Sequence, residues 1–353
     1  MHLAQRGKGY TKAANFLFVI LAVVLQWYAH QGRLLDTDDS CNYISASISF
    51  KNSFQFLSPD GTNYTYWPPL YPIFLSVFGP YLYWVNLVLV SVLSFLIINY
   101  VKRFIEDPLL QLICQASIIL SVHLLMIGVF VWSELLFLLL LILFARAVEE
   151  NFIVAIILGF LLCLQRNAGI FFVVAAAIWY WDFRRSLLLF FISTSGCIAW
   201  NVYFYSAAAG ERQYFLEIPN NFNVIATGLM QSLAPLPGFV FLIVMGILAY
   251  VLRSEKKLRL IALMVLIYIA GISSLFFMIK WDADRYAAVV LPFLMIMVFR
   301  AIEITLTGQT STVRKVLLIL VVCWLVYPLS RTLKNAIQWH NVSFTSYFCG
   351  VQL

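Results

Sequence analysis

Charge is what this sequence has least of. Of its 353 residues, 23 are Lys or Arg and 16 are Asp or Glu, 11% in all, where a soluble domain carries about 25%. That scarcity excludes a water-exposed globule. A hydrophobic content of 63% and a mean hydropathy of +0.90 make the chain an integral membrane protein. Apolar runs of roughly 17–25 residues cross a bilayer as helices. The alternation that would mark a barrel is missing, so the spans are helical. Cysteine is also sparse, and the six present show no metal-ligand spacing. Cys114, Cys163, Cys197 and Cys323 lie inside apolar runs and read as small hydrophobes. Cys41 and Cys349 fall in polar segments, which leaves a bridge between them open. No small-residue cleavage site follows the first apolar run, so it reads as a helix and not as a signal peptide. Repeats, low-complexity tracts and a separate soluble domain are missing too, and residues 1–353 read as a single integral-membrane domain.

What is present is a series of eleven apolar spans, centred near Val23, Val92, Ile118, Leu138, Ile157, Val174, Ser195, Val244, Leu266, Leu294 and Val322. Sorting Lys and Arg by alternate connections puts fifteen on the side of the N-terminus and eight on the other. The positive-inside rule then predicts a multi-pass protein of the plasma (inner) membrane with a cytoplasmic N-terminus and an external C-terminus. The net charge of +7 is accounted for by this bias, so no nucleic-acid partner is called for. Two external connections are long, about 31–81 and 206–235, and the polar tail from Lys334 is external as well. The cytoplasmic connections are short turns. Chemistry, on this topology, belongs to the external face.

That face holds an unusual concentration of acid. "LLDTDDSCNYISAS" places Asp36, Asp38 and Asp39 within four positions. Cys41, Ile44 and Ile48 follow at helical spacing, which predicts a short amphipathic helix on the membrane surface. Asp39 or Ser40 stands where an N-cap belongs. Capping needs one carboxylate, however, and three are present. Farther on, "YTYWPPLYPIFLSVFG" carries Trp67 and Tyr71 at the headgroup level. Its prolines Pro68, Pro69 and Pro72 favour an extended path, with a second short helix predicted from Ile73 to Phe78.

Together "DSCNYISAS" and "WPPLYPIFL" resemble the first external loop of GT-C glycosyltransferases, in particular bacterial members akin to protein O-mannosyltransferases and aminoarabinose transferases (glycosyltransferase family 39-like). The resemblance implies an all-α GT-C-like fold. It also implies a polyprenyl-phosphate sugar donor and a catalytic base on that loop. Asp39 matches the motif carboxylate and Tyr43 its aromatic. Ser47 stands where Ala is usual, and the neighbouring Ala46 keeps Asp38 as the alternative base. Tyr43, Trp67 and Tyr71 would then shape the loop or the acceptor cleft. "VWSELLF" resembles a further segment of the family and contributes Glu134, a carboxylate at a span end and hence a functional candidate. "KWDADRYAAVVLPFL" resembles another, matching Arg285, Tyr286 and Pro292, with Arg285 also free to pair with Asp282 or Asp284. Arg166 lies in the hairpin "CLQRNAGIFF", from which it could also snorkel to headgroups.

The implied reaction inverts the anomeric centre. Asp39 would take the proton of an acceptor hydroxyl on a lipid, glycan or protein. Arg285, Arg166 and Lys280, with Tyr286 and Glu134 nearby, would hold the donor phosphate, for which guanidinium offers planar paired donors. No cofactor is implied, although Asp36 and Asp38 spell a DxD pair able to hold Mg²⁺ or Mn²⁺. The competing classes are a transporter or lipid-linked-sugar flippase, which would place charges at the midplane on broken helices, and an inactive scaffold of a polysaccharide machine.

Overall fold

The computed structural model describes residues 2–31, 33–65, 67–204, 218–275 and 283–341. Among them the regular structure is helical: α1 (His2–His30), α2 (Asp38–Ser53), α3 (Leu70–Phe78), α4 (Leu82–Val101), α5 (Pro108–Ile119), α6 (Val122–Val129), α7 (Glu134–Glu150), α8 (Phe152–Gln165), α9 (Gly169–Tyr180), α10 (Phe183–Phe204), α11 (Ile218–Leu233), α12 (Val240–Val251), α13 (Arg259–Leu275), α14 (Ala283–Thr307) and α15 (Ser311–His340). β pairing among the described residues is limited to two isolated bridges, Leu35 with Phe130 and Leu57 with Asn63.

Each of the eleven span centres falls inside a helix. Among the described residues seven helical segments are long and apolar enough to cross a membrane, and α8, α9 and α12 are shorter apolar helices of 14, 12 and 12 residues. At 1.5 Å per residue the first of these is about 21 Å long, short of the roughly 30 Å hydrocarbon core. The segment around Ile118 is broken. Leu120 leaves the helix, and the Ser121 hydroxyl caps α6 by accepting from Leu124 N–H at 3.1 Å.

Turn chemistry explains the tight reversals. Asp107 caps α5, its Oδ1 accepting from Leu109 N–H (2.9 Å) and Leu110 N–H (3.1 Å), with Pro108 at the first helical position, where no N–H is needed. Asn151 ends α7 and caps α8 through Ile153 and Val154 N–H. Gly228 of α11 faces the Ala283 carbonyl so closely that a Cβ there would sit 2.8 Å from the oxygen. Only glycine lets α11 seat against the start of α14.

Connections alternate between two ends of the bundle, and ion pairs mark both. At one end Arg103 joins Glu149 and Glu150, Arg300 joins Glu255, and Arg314 joins Asp107. These pairs bring together the α4–α5, α7–α8, α12–α13 and α14–α15 turns. At the other end Asp39, Glu134, Arg166 and Arg285 bring together α2, the start of α7, the α8–α9 turn and the start of α14.

Four expectations need correction. Residues 206–235 are not all connection, because Ile218–Leu233 forms α11 with its Ile225, Leu229 and Met230 buried. The N-cap of α2 is Thr37, not Asp39 or Ser40; the Ser40 hydroxyl accepts from Thr37 N–H at 3.0 Å as the return bond of a capping box. The buried residues of α2 are Ser40, Tyr43, Ile44, Ala46 and Ser47, so of Cys41, Ile44 and Ile48 only Ile44 is fully buried, because Tyr43 packs into an aromatic cluster with Tyr64, Trp67 and Tyr71. Finally, α3 begins at Leu70 and not at Ile73; Pro72 is tolerated in α3 because first-turn N–H groups have no helical partner. Cys41 is disulfide-bonded, Cys349 lies outside the described residues, and Cys114, Cys163, Cys197 and Cys323 are free thiols.

Two exposed residues test the two-ended arrangement, Thr62 in the α2–α3 connection and Gln309 in the α14–α15 turn. Single cysteines introduced there are expected to react with a membrane-impermeant maleimide from opposite sides of sealed vesicles, Thr62 from outside. Reaction of both from one side would break the assignment of ends.

Candidate functional site

The acidic loop is tethered to the start of α7 by backbone and side chain alike. Leu35 N–H donates to Val129 O and Val131 N–H donates to Leu35 O, both at 2.9 Å, forming a short parallel bridge. The Ser40 hydroxyl donates to Val131 O (3.0 Å), and the Trp132 indole donates to Thr37 Oγ1 (2.9 Å). Four bonds therefore hold Leu35–Ser40 beside Val129–Trp132. Asp39, at the second helical position of α2, is carried to the same point as Glu134.

There the chain buries four charges in one network. Arg285, in the first turn of α14, donates from Nε to Glu134 Oε1 and from Nη1 to Asp39 Oδ2. Arg166 Nη1 lies 2.7 Å from the same Glu134 oxygen and donates to Ser133 Oγ at 2.6 Å. Tyr43 OH shares a hydrogen bond with Ser133 Oγ (3.2 Å), and Gln165 donates to Ser133 O (3.0 Å). The Arg285 guanidinium also stacks on Trp132, 4.5 Å from the ring centre, a cation–π contact strengthened by desolvation. Side-chain exposure falls from 29% at Asp39 to 6% at Arg285, 7% at Arg166 and 1% at Glu134. The network thus opens to solvent through Asp39. Two carboxylates balance two guanidinium groups, which is what burial of ions at this depth requires.

Three polar atoms here point to a place for a ligand. Asp39 Oδ1 makes no hydrogen bond among the described residues. Arg285 Nη2 and Glu134 Oε2 are buried without a hydrogen-bond partner. Around them Tyr43 sits between Trp67 (centroids 5.0 Å apart) and Tyr71 (4.9 Å, edge-on). Burial pushes the Tyr43 phenol up to about 12, so it stays protonated at neutral pH.

The residues singled out from sequence divide clearly. Asp39, Glu134, Arg166 and Arg285 meet directly; Tyr43, Trp67 and Tyr71 wall the same region. Tyr286 lies next in α14, with its carbonyl accepting from Tyr268 OH at 3.2 Å. Asp38 is exposed on the solvent side of α2. Asp36 is half-buried, and that burial raises its carboxyl above the usual range. Among the described residues no group of three or more His, Cys, Asp or Glu side chains converges to hold a metal. Lys280 and Asp282 lie outside the described residues. Arg285 does not pair with Asp284, because successive helical side chains point about 100° apart. Asp284 turns the other way, to Arg331 (3.0 Å) and the buried His123 (3.2 Å).

Sequence reasoning missed Trp132, Ser133, Thr37 and Gln165. Trp132 and Ser133 were within reach as part of "VWSE", since a small hydroxyl residue and an indole flanking a buried carboxylate can serve its cations. His123 and Arg331 carried no local signal. They face Asp284 across sequence separations of 161 and 47 residues.

Comparison with known proteins returns no matching family model and no matching curated sequence.

The charge balance yields a stability prediction. Glu134→Gln leaves two buried guanidinium groups facing one carboxylate and should cost about 3–5 kcal/mol, read as a lower unfolding temperature in detergent. Glu134→Gln/Arg166→Gln restores the balance and should recover part of that loss. A Glu134→Gln protein that melts with the wild type would show that the network is not under this constraint.

Proposed function

We propose that the protein is an inverting glycosyltransferase of GT-C type that moves a sugar from a polyprenyl phosphate to an acceptor hydroxyl. The observation that carries this reading is the state of Asp39. Thr37 takes the cap of α2, so Asp39 has no capping duty. One of its oxygens is held by Arg285 while the other is unpartnered on the solvent side of a buried network. A carboxylate held this way is oriented and reachable, as a general base must be. The first-loop motif resemblance supports the same assignment.

In the proposed reaction the acceptor oxygen attacks the anomeric carbon as Asp39 Oδ1 takes its proton. The bond from that carbon to the phosphate oxygen breaks on the opposite face, and the lipid phosphate leaves with the electron pair. Its growing negative charge meets Arg285 Nη2 and Arg166, with Lys280 as a further candidate cation. Because Glu134 holds both arginines before the substrate arrives, no reorganisation accompanies the charge development. Tyr43, Trp67 and Tyr71 border the acceptor side, Tyr286 the donor side, and an apolar groove between spans takes the prenyl chain. The reaction as drawn needs no metal; Asp36 and Asp38 would be the ligands if one were used. The antiparallel runs correspond to eleven crossings, with α5 and α6 as one broken span, the N-terminus cytoplasmic and Asp39 external in the plasma (inner) membrane.

One feature favours a transporter instead: the break at Leu120 places the buried His123 beside Asp284 on a discontinuous helix, as transport sites often are. The two readings separate at Asp39. In reconstituted protein screened with radiolabelled polyprenyl-phosphate sugars, Asp39→Asn should lower transfer by about 10²–10⁴-fold while retaining donor binding. Asp38→Asn should cost less and Asp36→Asn least. Wild-type transfer by all three variants would remove the proposed base.

A further inference from the structure

A second polar cluster lies on the other flank of α14 from the Asp39 network, and the proposed reaction makes no use of it. Asp284 stands immediately before Arg285 in the first turn of that helix. Its Oδ1 and Oδ2 accept from Arg331 Nη2 of α15 at 3.1 and 3.0 Å. His123 Nε2, in α6, lies 3.2 Å from the same Oδ1 and 3.0 Å from Ser232 Oγ of α11. The Ser232 hydroxyl donates its proton to Gly228 O at 2.7 Å. It therefore accepts from His123, and the imidazole carries its proton on Nε2, where it also faces Asp284.

The groups that hold Asp284 are held in turn. Arg331 Nη1 and the Tyr327 hydroxyl both donate to Gln231 O at 3.0 Å. The Thr332 hydroxyl donates to Leu120 O at 2.8 Å, which ties α15 to the break before α6. Side-chain exposure is 2% at His123, 20% at Arg331 and 31% at Asp284, so these contacts are better shielded than ordinary surface pairs. With His123 neutral, one guanidinium answers one carboxylate. Two helices, α6 and α15, thus grip a single residue of a third.

Successive side chains of a helix point about 100° apart, so fixing Asp284 on one flank of α14 sets where Arg285 points on the other. There Arg285 must meet Glu134 and Asp39 together. Helix ends fray, and this grip falls on the first turn itself. We infer that His123 and Arg331 are positioning residues, which act through Asp284 to hold the first turn of α14 in the rotation that presents Arg285 to Asp39. Their value to sugar transfer rests on the proposed function; the mechanical link to Asp39 does not.

The test reads Asp39 itself, in the full-length protein in detergent, by carbodiimide coupling to glycine ethyl ester and peptide mass spectrometry. Asp38, exposed beside it, is the internal reference. Arg285→Gln frees Asp39 outright and should raise the Asp39-to-Asp38 labelling ratio about tenfold, the loss of one charge-assisted bond. His123→Leu and Asp284→Asn should each raise it at least about threefold, a partial loss of the same bond. His123→Gln, whose amide supplies a donor in place of Nε2–H, should keep the wild-type ratio. Glu303→Leu is the control: it removes a buried carboxylate at the far end of α14 that accepts from Glu106 and Asp107 N–H. It should lower the unfolding temperature and leave the ratio alone. An unchanged ratio in His123→Leu and Asp284→Asn would overturn the inference, as would an equal rise in Glu303→Leu, which would mark general loosening. Transfer assayed on the same proteins keeps the two readings apart. Where the wild type transfers sugar, His123→Leu should lower the rate about 10²-fold and His123→Gln should restore it. A wild type that transfers nothing counts against the transferase alone, and the labelling ratio still decides the positioning role.

Discussion

Glu134 Oε1 receives both Arg166 and Arg285, and the geometry of one end of the bundle follows from that shared oxygen. A carboxylate 1% exposed at the start of a helix is stable only if its charge is answered within hydrogen-bond reach, because water cannot do so. Two guanidinium groups answer it, one from the α8–α9 turn and one from α14. They bring in more positive charge than Glu134 offsets, and Asp39 supplies the remainder. Charge balance thus draws four separate chain segments to one point. Asp39 stays closest to solvent, so the same constraint leaves one member of the network accessible.

Carboxylates and guanidinium groups also tie the opposite end together, with a different energetic meaning. Arg103, Arg146, Glu150 and Arg314 are 30–51% exposed, and such pairs contribute about 0–1 kcal/mol each. They hold turns in register without committing every donor. The two ends therefore differ in kind: one network is buried and closed, the other open to water.

Much of this was readable in order along the chain. Hydropathy alone placed eleven centres inside helices, because the need to satisfy every backbone group in lipid leaves helix as the local solution. Asp39, Glu134, Arg166 and Arg285 stood out because charge is so rare here that each instance within or beside an apolar run needs a reason. The boundaries were less readable. The N-cap passed to Thr37 because Ser40 could complete a capping box and donate to Val131 O, and that second bond comes from a segment ninety-one residues away. The buried residues of α2 departed from the expected register for the same kind of reason, the aromatic cluster around Tyr43. α11 escaped notice because at 16 residues, four of them asparagine or glutamine, it resembles a polar connection; burial against α13 and α14 makes it a helix.

By itself, then, the sequence determined the helical membrane class, the sorting of basic residues to one set of turns, and the short roster of charged side chains from which a site could be built. These follow from composition and from forces that act within a few residues. Only the tertiary structure decided who pairs with whom. Arg285 reaches Glu134 and Asp39 across separations of 151 and 246 residues, while its neighbour Asp284 faces away to Arg331 and His123. A helix turns its adjacent side chains to different neighbours, and which helix stands on each side is set by packing between distant segments, about which no local pattern carries information.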